Sequence, residues 1–211
     1  MSRCVIFGGG DVLDYEAVAA EMQEGDFIIC ADSGYRHCEK LGLRPDLLMG
    51  DFDSIREMPA GIPVVKYDTA KNYTDSTLAA QCALERGADE ILFIGMMGGR
   101  LDHSLANLQM LAHCAKSADC HMTDGKTAIY ALHASGGLVR KTLAPRPEYY
   151  FSLLAHTPVC EDVTICGGKY PLERYRLRFD EARAISNEFV DIEVEISFSQ
   201  GVLFVVIVPK D

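Results

Sequence analysis

Residues 4–11 have the sequence CVIFGGGD, a short apolar run that ends in three glycines and an acid. The pattern continues along the first half of the chain, where apolar runs at residues 27–30, 47–49 and 91–94 each lead into a polar or glycine-containing turn. Such runs are typical of buried strands. The glycine turns mark the ends of those strands.

Segments with the apolar spacing of amphipathic helices alternate with these runs. They are residues 12–22, 35–41, 76–84 and 105–115. Strand–helix alternation predicts a mostly parallel, Rossmann-like sheet with covering helices. We therefore predict an α/β N-terminal domain over residues 1–132.

The periodicity changes after residue 131. Residues 133–137, HASGG, predict a linker or turn. Strand-like segments without helical spacing follow, and we predict that the last two are joined by a hairpin at residues 199–201. These segments are residues 149–154, 163–166, 184–189, 191–198 and 202–208. An all-β C-terminal sandwich or barrel domain over residues 138–211 is expected.

Composition narrows the class of protein. The chain has 211 residues, 48% of them hydrophobic, and a formal net charge of −11. This apolar fraction is sufficient for a globular core. The negative charge argues against nucleic acid or an anionic membrane as a partner. An anionic substrate must then be bound locally, with the help of a metal ion.

The cysteines and the apolar runs predict a location. Eight cysteines are spread through apolar surroundings without a C-x-x-C pair, which indicates reduced thiols and a cytoplasmic protein. No signal peptide is visible at the start of the sequence, and the late apolar run at residues 202–208 is too short to span a bilayer.

Polar clusters follow the predicted strands. Because ligands bind parallel sheets beyond the carboxyl ends of the strands, we expect these clusters to converge on one edge. They lie at residues 8–11, 31–34, 50–53 and 95–100. Carboxylates, cations and glycine amides together suit a polyphosphate carrying magnesium.

Each candidate also has a simpler interpretation. Asp51 and Asp53, two residues apart after a strand, can face one ion or belong to a solvated turn. Asp75 can bind metal or support a helix capped by Thr74. Residues 98–103, GGRLDH, can approach a phosphate or form an ordinary loop before a helix. The coincidence of three such clusters at strand ends favours an active site.

Three kinds of protein are compatible with these clusters. A D-x-D after a strand resembles haloacid-dehalogenase-like phosphatases, but no cap segment follows it. A non-catalytic nucleotide sensor would leave the β domain unexplained. The third kind is a transferase that holds a nucleotide on the sheet edge and an acceptor on the β domain.

A series of motifs resembles the thiamin pyrophosphokinase family, in order and over nearly the whole chain. The motifs are ADSG at 31–34, LRPDLLMGDFDSI at 43–55, KNYTD at 71–75, GGRLDH at 98–103, GKYPL at 168–172 and ISNEF at 185–189. The resemblance implies transfer of a pyrophosphoryl group from ATP to the hydroxyl of thiamin, giving thiamin diphosphate and AMP, with Mg²⁺. A pterin pyrophosphokinase is the nearest alternative.

The resemblance also implies roles for residues of the N-terminal domain. Asp51, Asp53 and Asp75 would hold the metal. Arg100 and Asp102 would meet the polyphosphate and its surroundings. The same motifs place Lys71 and Asp32 among the substrate-binding residues, and they give Asp102 a catalytic role beside the three metal ligands.

On the acceptor side the resemblance implies Tyr170, Ser186 and Asn187 as thiamin-binding residues. Members of the family are homodimers, and their active sites are shared between subunits. The predicted partners are therefore ATP, thiamin and a second copy of the chain.

Overall fold

The computed structural model describes residues 3–50, 61–66, 73–190 and 192–210. It divides into two compact units, Met1–Lys126 and Thr127–Asp211. Asp51, Asp53 and Lys71 lie outside the described residues. In the described part of the chain, no helix is long and apolar enough to cross a membrane.

The first unit contains a parallel sheet with helices. Its described strands are β1 (Arg3–Phe7), β2 (Phe27–Ala31), β3 (Leu47–Gly50), β4 (Val64–Lys66), β5 (Glu90–Ile94) and β6 (Asp119–Thr123). Its helices are α1 (Tyr15–Glu21), α2 (Tyr35–Leu41), α3 (Asp75–Glu85) and α4 (Leu101–Cys114). The strand order is β6-β5-β1-β2-β3-β4, and each neighbouring pair is parallel. The four predicted strands and four predicted helices of this half are confirmed.

The apolar sequences of the strands in this unit follow from their burial. Every residue of β1 and β3 is buried, as expected for parallel strands covered on both faces. Apolar residues from β1, β2, β3 and β5 form a core with Val18 of α1 and Cys38 of α2. This core fixes the ends of the strands, where the polar clusters lie.

Local signals set the helix ends. The helix α1 begins at Tyr15, later than the predicted residue 12, because the Asp14 carboxylate accepts hydrogen bonds from the amides of Glu16 and Ala17. The helix α2 ends before Gly42, whose φ of +67° is left-handed. The helix α4 begins at Leu101, earlier than the predicted residue 105, and Arg100 separates it from the glycines at 98 and 99.

The second unit is β-rich. Its strands are β7 (Ala128–Leu143), β8 (Tyr149–Ala155), β9 (Val159–Cys166), β10 (Leu172–Arg178), β11 (Ala184–Glu188) and β12 (Val194–Pro209). The long strand β12 pairs antiparallel with β7, β8 and β9. β9 also pairs with β10, and β8 with β11. Alternate residues of these strands, including Phe151, Val163 and Phe198, form a separate core.

Two sequence predictions are wrong here for one reason. The predicted linker at residues 133–137 lies inside β7, and the predicted hairpin at residues 199–201 lies inside β12. The two segments face each other where the register shifts from Phe198 opposite Val139 to Gln200 opposite Ser135. The glycines and polar residues that predict turns therefore accommodate a β-bulge in a continuous strand pair.

Candidate active site

A cleft of about 410 Å³ lies at the carboxyl ends of β1, β2 and β5. Three of the four predicted polar clusters contribute to it, and the fourth lies, apart from Gly50, outside the described residues. The lining residues are Gly9, Gly10, Asp11, Ala31, Asp32, Ser33, Thr74, Asp75, Ser76, Gly95, Met96, Gly98, Gly99, Arg100, His103 and Asn107.

The glycines allow three chain segments to approach closely around this cleft. A Cβ on Gly9 would lie 2.1 Å from the Ser33 hydroxyl oxygen. A Cβ on Gly10 would lie 2.6 Å from the Met97 carbonyl oxygen, and the Gly10 amide donates to the Gly95 carbonyl at 2.7 Å. The cleft wall is therefore built largely of backbone, which permits close approach of a ligand.

Three carboxylates line the cleft, those of Asp11, Asp32 and Asp75. Asp75 is the first residue of α3, after Thr74, whose hydroxyl accepts a hydrogen bond from the Thr77 amide at 3.2 Å. Asp32 follows β2 with a φ of +47°, a left-handed conformation that Asp tolerates better than most residues. The sequence-predicted residues Asp32, Asp75 and Arg100 thus border one cleft.

The donor chemistry of this cleft suits a hard cation. Carboxylate oxygens are the ligands that Mg²⁺ prefers. Among the described residues no group of three or more acidic, His or Cys side chains is close enough to hold a metal, and two of the three predicted ligands, Asp51 and Asp53, lie outside that part of the chain. The described carboxylates of this cleft, Asp32 and Asp75 among them, are of the ligand type that Mg²⁺ binds.

Arg100 and Asp102 form a forked ion pair at the start of α4. The guanidinium Nη2 donates to Asp102 Oδ2 at 2.5 Å, and Nε donates to Oδ1 at 3.1 Å. These hydrogen bonds lower the pKa of the Asp102 carboxyl to about 2. Asp102 is therefore ionised at neutral pH and orients Arg100. Arg100 lines the cleft, whereas Asp102 is not one of its described lining residues.

A second cleft, of about 430 Å³, lies in the β-rich unit. Tyr170 and Asn187 line it, as do Arg183 and several apolar residues, namely Ile165, Pro171, Leu172, Ala184 and Ile185. The Tyr170 ring is accessible, since the residue is 56% exposed. A pocket with both polar and apolar lining beside an exposed aromatic ring suits a flat heterocycle.

Asn187 holds the backbone of Tyr170. Its Oδ1 accepts from the Tyr170 amide at 3.0 Å and from the Glu188 amide at 2.9 Å, and its Nδ2 donates to the Tyr170 carbonyl at 2.7 Å. The residue is 3% exposed. These bonds fix the segment that carries the aromatic ring.

Ser186 has a different setting from Asn187. It is exposed, has a φ of +54°, and its amide donates to the Ser152 hydroxyl at 3.0 Å. Ser186 is not one of the described residues that line the second cleft. The structure thus groups Tyr170 and Asn187 in the pocket and leaves Ser186 on the adjoining surface.

Residues 106–108, ANL, belong to the series of motifs that resembles the family, yet sequence reasoning assigned no role to Asn107 or to the residues of α2. Asn107 is buried in α4, and its Nδ2 donates to the Met96 carbonyl at 2.9 Å, which fixes the turn after β5. A polar residue within the apolar run of a helix was the available signal. Arg36 and His37 of α2 contact the glycine turn after β1. The apolar spacing of the helix does not indicate that these two residues have such a contact.

A parallel sheet with a glycine-lined, acidic cleft at its carboxyl edge is typical of α/β proteins that bind nucleotides. Family models identify the class. The thiamin pyrophosphokinase catalytic domain matches residues 18–123, and the thiamin pyrophosphokinase vitamin B1 binding domain matches residues 140–203.

Individual relatives agree with the family models. The thiamine pyrophosphokinase of Bacillus subtilis is 30% identical over 172 residues, which cover 78% of this chain and 79% of the relative. The thiamin pyrophosphokinase 1 of Caenorhabditis elegans is 25% identical over 171 residues, 76% of this chain and 69% of the relative. A crystal structure of thiamine pyrophosphokinase from Bacillus subtilis superposes with a TM-score of 0.85 and 26% identity, over 100% of both chains. The chain belongs to the thiamin pyrophosphokinase family, and it is an enzyme.

Replacing Arg100 by Lys keeps the positive charge and removes the planar fork. We expect the KM for ATP to rise about tenfold, since Lys cannot offer phosphate the two parallel hydrogen bonds of a guanidinium, while the KM for thiamin changes less. Steady-state kinetics with each substrate varied in turn measure both constants. Arg86→Lys, at the exposed end of α3, is the matched control. Equal ATP kinetics for Arg and Lys at position 100 would show that this side chain is only a solvated charge.

Proposed function

We propose that the two units divide the reaction of this family between them, which is the transfer of a pyrophosphoryl group from ATP to the hydroxyl of thiamin. The first unit, as a Rossmann-like domain, binds ATP and metal, and the second binds thiamin. The observation that carries this division is that each unit has its own cleft. The second cleft lies within the vitamin B1 binding match, and the residues of the first lie within the catalytic match except for Gly9, Gly10 and Asp11, which precede it. The vitamin B1 binding match favours thiamin over a pterin alcohol as acceptor.

Mg²⁺ is the proposed cofactor, held by Asp51, Asp53 and Asp75. When bound, it would neutralise charge on the polyphosphate and bind its oxygens. Asp75 supports this assignment because it borders the first cleft at a rigid helix start. Asp32, at the end of the neighbouring strand, is proposed to contact the nucleotide or its metal.

Arg100 and Lys71 are proposed to bind phosphate oxygens. In a chain with a net charge of −11, local cations are needed to receive a polyphosphate. Asp102 contributes by holding the guanidinium of Arg100 in one orientation before ATP binds. We therefore assign Asp102 a positioning part in catalysis.

The acceptor is proposed to stack on Tyr170, with Asn187 holding that residue's backbone and Ser186 offering a hydroxyl from the adjoining surface. Transfer of this kind requires mainly in-line positioning and charge neutralisation, so no covalent intermediate on the protein is needed. The thiamin hydroxyl attacks phosphorus, AMP leaves, and the hydroxyl proton passes to solvent or to a carboxylate.

We further propose a homodimer that shares its active sites and works in the cytoplasm. Apolar side chains exposed on the second unit, among them Ile185, Val190 and Ile192, offer surface for a subunit contact. All eight cysteines are free thiols, which suits a reducing compartment. Sedimentation of a fully active monomer would contradict the shared sites.

Product analysis tests the reaction. With ATP, Mg²⁺ and thiamin, the enzyme should form AMP and thiamin diphosphate in equal amounts. ADP and thiamin monophosphate would indicate a simple kinase, and inorganic phosphate or pyrophosphate without a thiamin product would indicate a hydrolase. Greater activity with a pterin alcohol than with thiamin would overturn the acceptor assignment.

Ser186→Ala should raise the KM for thiamin about threefold to tenfold and leave the KM for ATP unchanged, because one hydrogen bond to the acceptor is lost. Ser186→Gly provides the matched variant, since glycine accepts the positive φ and also lacks the hydroxyl. A thiamin KM that rises in the Ala variant and not in the Gly variant would assign the effect to the backbone. The hydroxyl contact would then be rejected.

A further inference from the structure

His37 lies in α2 directly beneath the glycine turn at residues 8–10, and it is 2% exposed. Its Nε2 lies 2.9 Å from the Gly10 carbonyl oxygen, and its Nδ1 lies 2.7 Å from the Tyr15 hydroxyl oxygen. A carbonyl oxygen can only accept, so Nε2 carries the proton and Nδ1 of the neutral ring accepts from Tyr15. The donor chain runs from Tyr15 through His37 to Gly10.

The charge state of His37 agrees with this arrangement. Burial lowers the pKa of the imidazole, and the neighbouring cations Arg36 and Lys40 act in the same direction. The hydrogen bond to the Gly10 carbonyl and the charge of Asp11 oppose them without reversing the shift. The ring is therefore neutral at pH 7, and both of its nitrogens have partners.

Arg36, the preceding residue, contacts the same turn from the exposed side. Its Nη2 donates to the Gly9 carbonyl at 2.7 Å and to the Gly10 carbonyl at 3.0 Å. Two carbonyl oxygens thus receive hydrogen bonds from two neighbouring side chains of one helix. None of Tyr15, Arg36 and His37 is among the described residues that line the first cleft.

The glycine turn itself has no room to adjust. Gly8 and Gly10 donate their amides to the carbonyls of Ile94 and Gly95 at 2.8 and 2.7 Å. A Cβ on Gly9 would clash with the Ser33 hydroxyl oxygen, 2.1 Å away. Gly9 and Gly10 nevertheless line the cleft proposed for ATP, so the direction of their carbonyl dipoles determines the local field there.

We propose that Arg36, His37 and Tyr15 are positioning residues that hold the Gly9 and Gly10 carbonyl oxygens away from the polyphosphate of a bound nucleoside triphosphate. A carbonyl oxygen directed into the cleft would repel the phosphate oxygens. Bonded to α2, the same carbonyls are neutralised by donors that lie outside the cleft. The inference rests on the proposed function only in taking the first cleft as the nucleotide site.

The test measures nucleotide binding separately from turnover. Isothermal calorimetry with Mg²⁺ and a non-hydrolysable ATP analogue is expected to show about tenfold weaker binding for His37→Ala and about fivefold for Arg36→Ala, since each loses a hydrogen bond that orients the turn. Thiamin binding should stay within twofold. His37→Gln, whose amide can still donate to the Gly10 carbonyl, should recover part of the affinity.

The matched control is His121→Ala, which removes the other histidine with a described side-chain partner in this unit. His121 lies on β6, bonds Glu21 at 2.9 Å, and does not line the first cleft among the described residues. If His37→Ala and His121→Ala lower thermal stability alike and both leave analogue affinity unchanged, the positioning role is overturned.

Arg36→Ala keeps the test decisive if His37→Ala fails to fold, because Arg36 is exposed. Unchanged analogue affinity in a folded Arg36→Ala variant also overturns the proposal. A wild-type protein that binds the analogue but does not convert thiamin would contradict the proposed function alone. The binding comparison between variants would still stand.

Discussion

Asp75→Asn is expected to lower kcat at least about a hundredfold while the protein stays folded. A ligand of the metal that neutralises the transferring group acts most strongly in the transition state, so its loss appears in kcat. Structurally the change is small: Asn keeps the size of the side chain, and Thr74 still caps α3. The lost charge at the helix start costs about 0.3–1 kcal/mol. Turnover at several Mg²⁺ concentrations and thermal unfolding together measure both effects.

Glu16→Gln is the matched control for Asp75→Asn. Glu16 is the acidic residue in the first turn of α1, is exposed, and does not border the first cleft among the described residues. The Glu16→Gln variant should lose about as much free energy of unfolding as Asp75→Asn and should keep its activity. Asp51→Asn and Asp53→Asn are expected to behave as Asp75→Asn does. Wild-type turnover with normal Mg²⁺ dependence in Asp53→Asn would refute the shared metal site.

Asn187→Ala should have the second largest effect, on thiamin. It leaves the amides of Tyr170 and Glu188 and the carbonyl of Tyr170 without their partner, at a cost of about 1–3 kcal/mol in the free energy of unfolding. Because the ring of Tyr170 loses its fixed position, the KM for thiamin should rise about tenfold or more. The KM for ATP should stay within twofold. Chemical denaturation and two-substrate kinetics give the measurements.

Asn107→Ala, in the first unit, is the counterpart of Asn187→Ala, with the larger effect expected on the KM for ATP. Asn107 is also buried, and its amide supports the Met96 carbonyl at the first cleft. This variant should raise the KM for ATP more than that for thiamin. If both variants change the two constants alike, the assignment of one substrate to each cleft is wrong.

The parallel half of the fold was predictable because most of its buried strands are continuous apolar runs, each followed by a polar or glycine-containing turn. Residues 4–7 and 91–94 show this clearly, since their strands are covered on both faces. The β4 strand, Val64–Lys66, escaped prediction because it is short and exposed at the sheet edge. Its sequence carries no apolar periodicity.

The long strands of the second unit could not be read from local signals. HASGG at residues 133–137 and SQG at 199–201 have turn composition, yet each lies within a long strand that pairs with the other. The Ser199 hydroxyl donates to Asp162 Oδ2 at 2.7 Å, which ties the bulge to β9. Pairing partners about sixty residues apart along the chain decide this structure, and a local pattern does not contain them.

The candidate site was predictable in its chemistry and not in its supports. Asp75, Arg100 and Tyr170 follow from motifs, and they border the clefts. Asn107 and His37 are buried and act through backbone carbonyls. Their relevance depends on the direction in which a helix face points, and only three-dimensional packing sets that direction.

The central place of β12 has a consequence for the synthesis of the chain. β7, β8 and β9 all pair with residues 194–207 and beyond, so the second unit lacks its central strand until the ribosome has translated residue 209. The described strand pairs of the first unit are complete by residue 123. We expect the nascent chain to acquire protease resistance in two steps, with the first unit before the second, which needs β12.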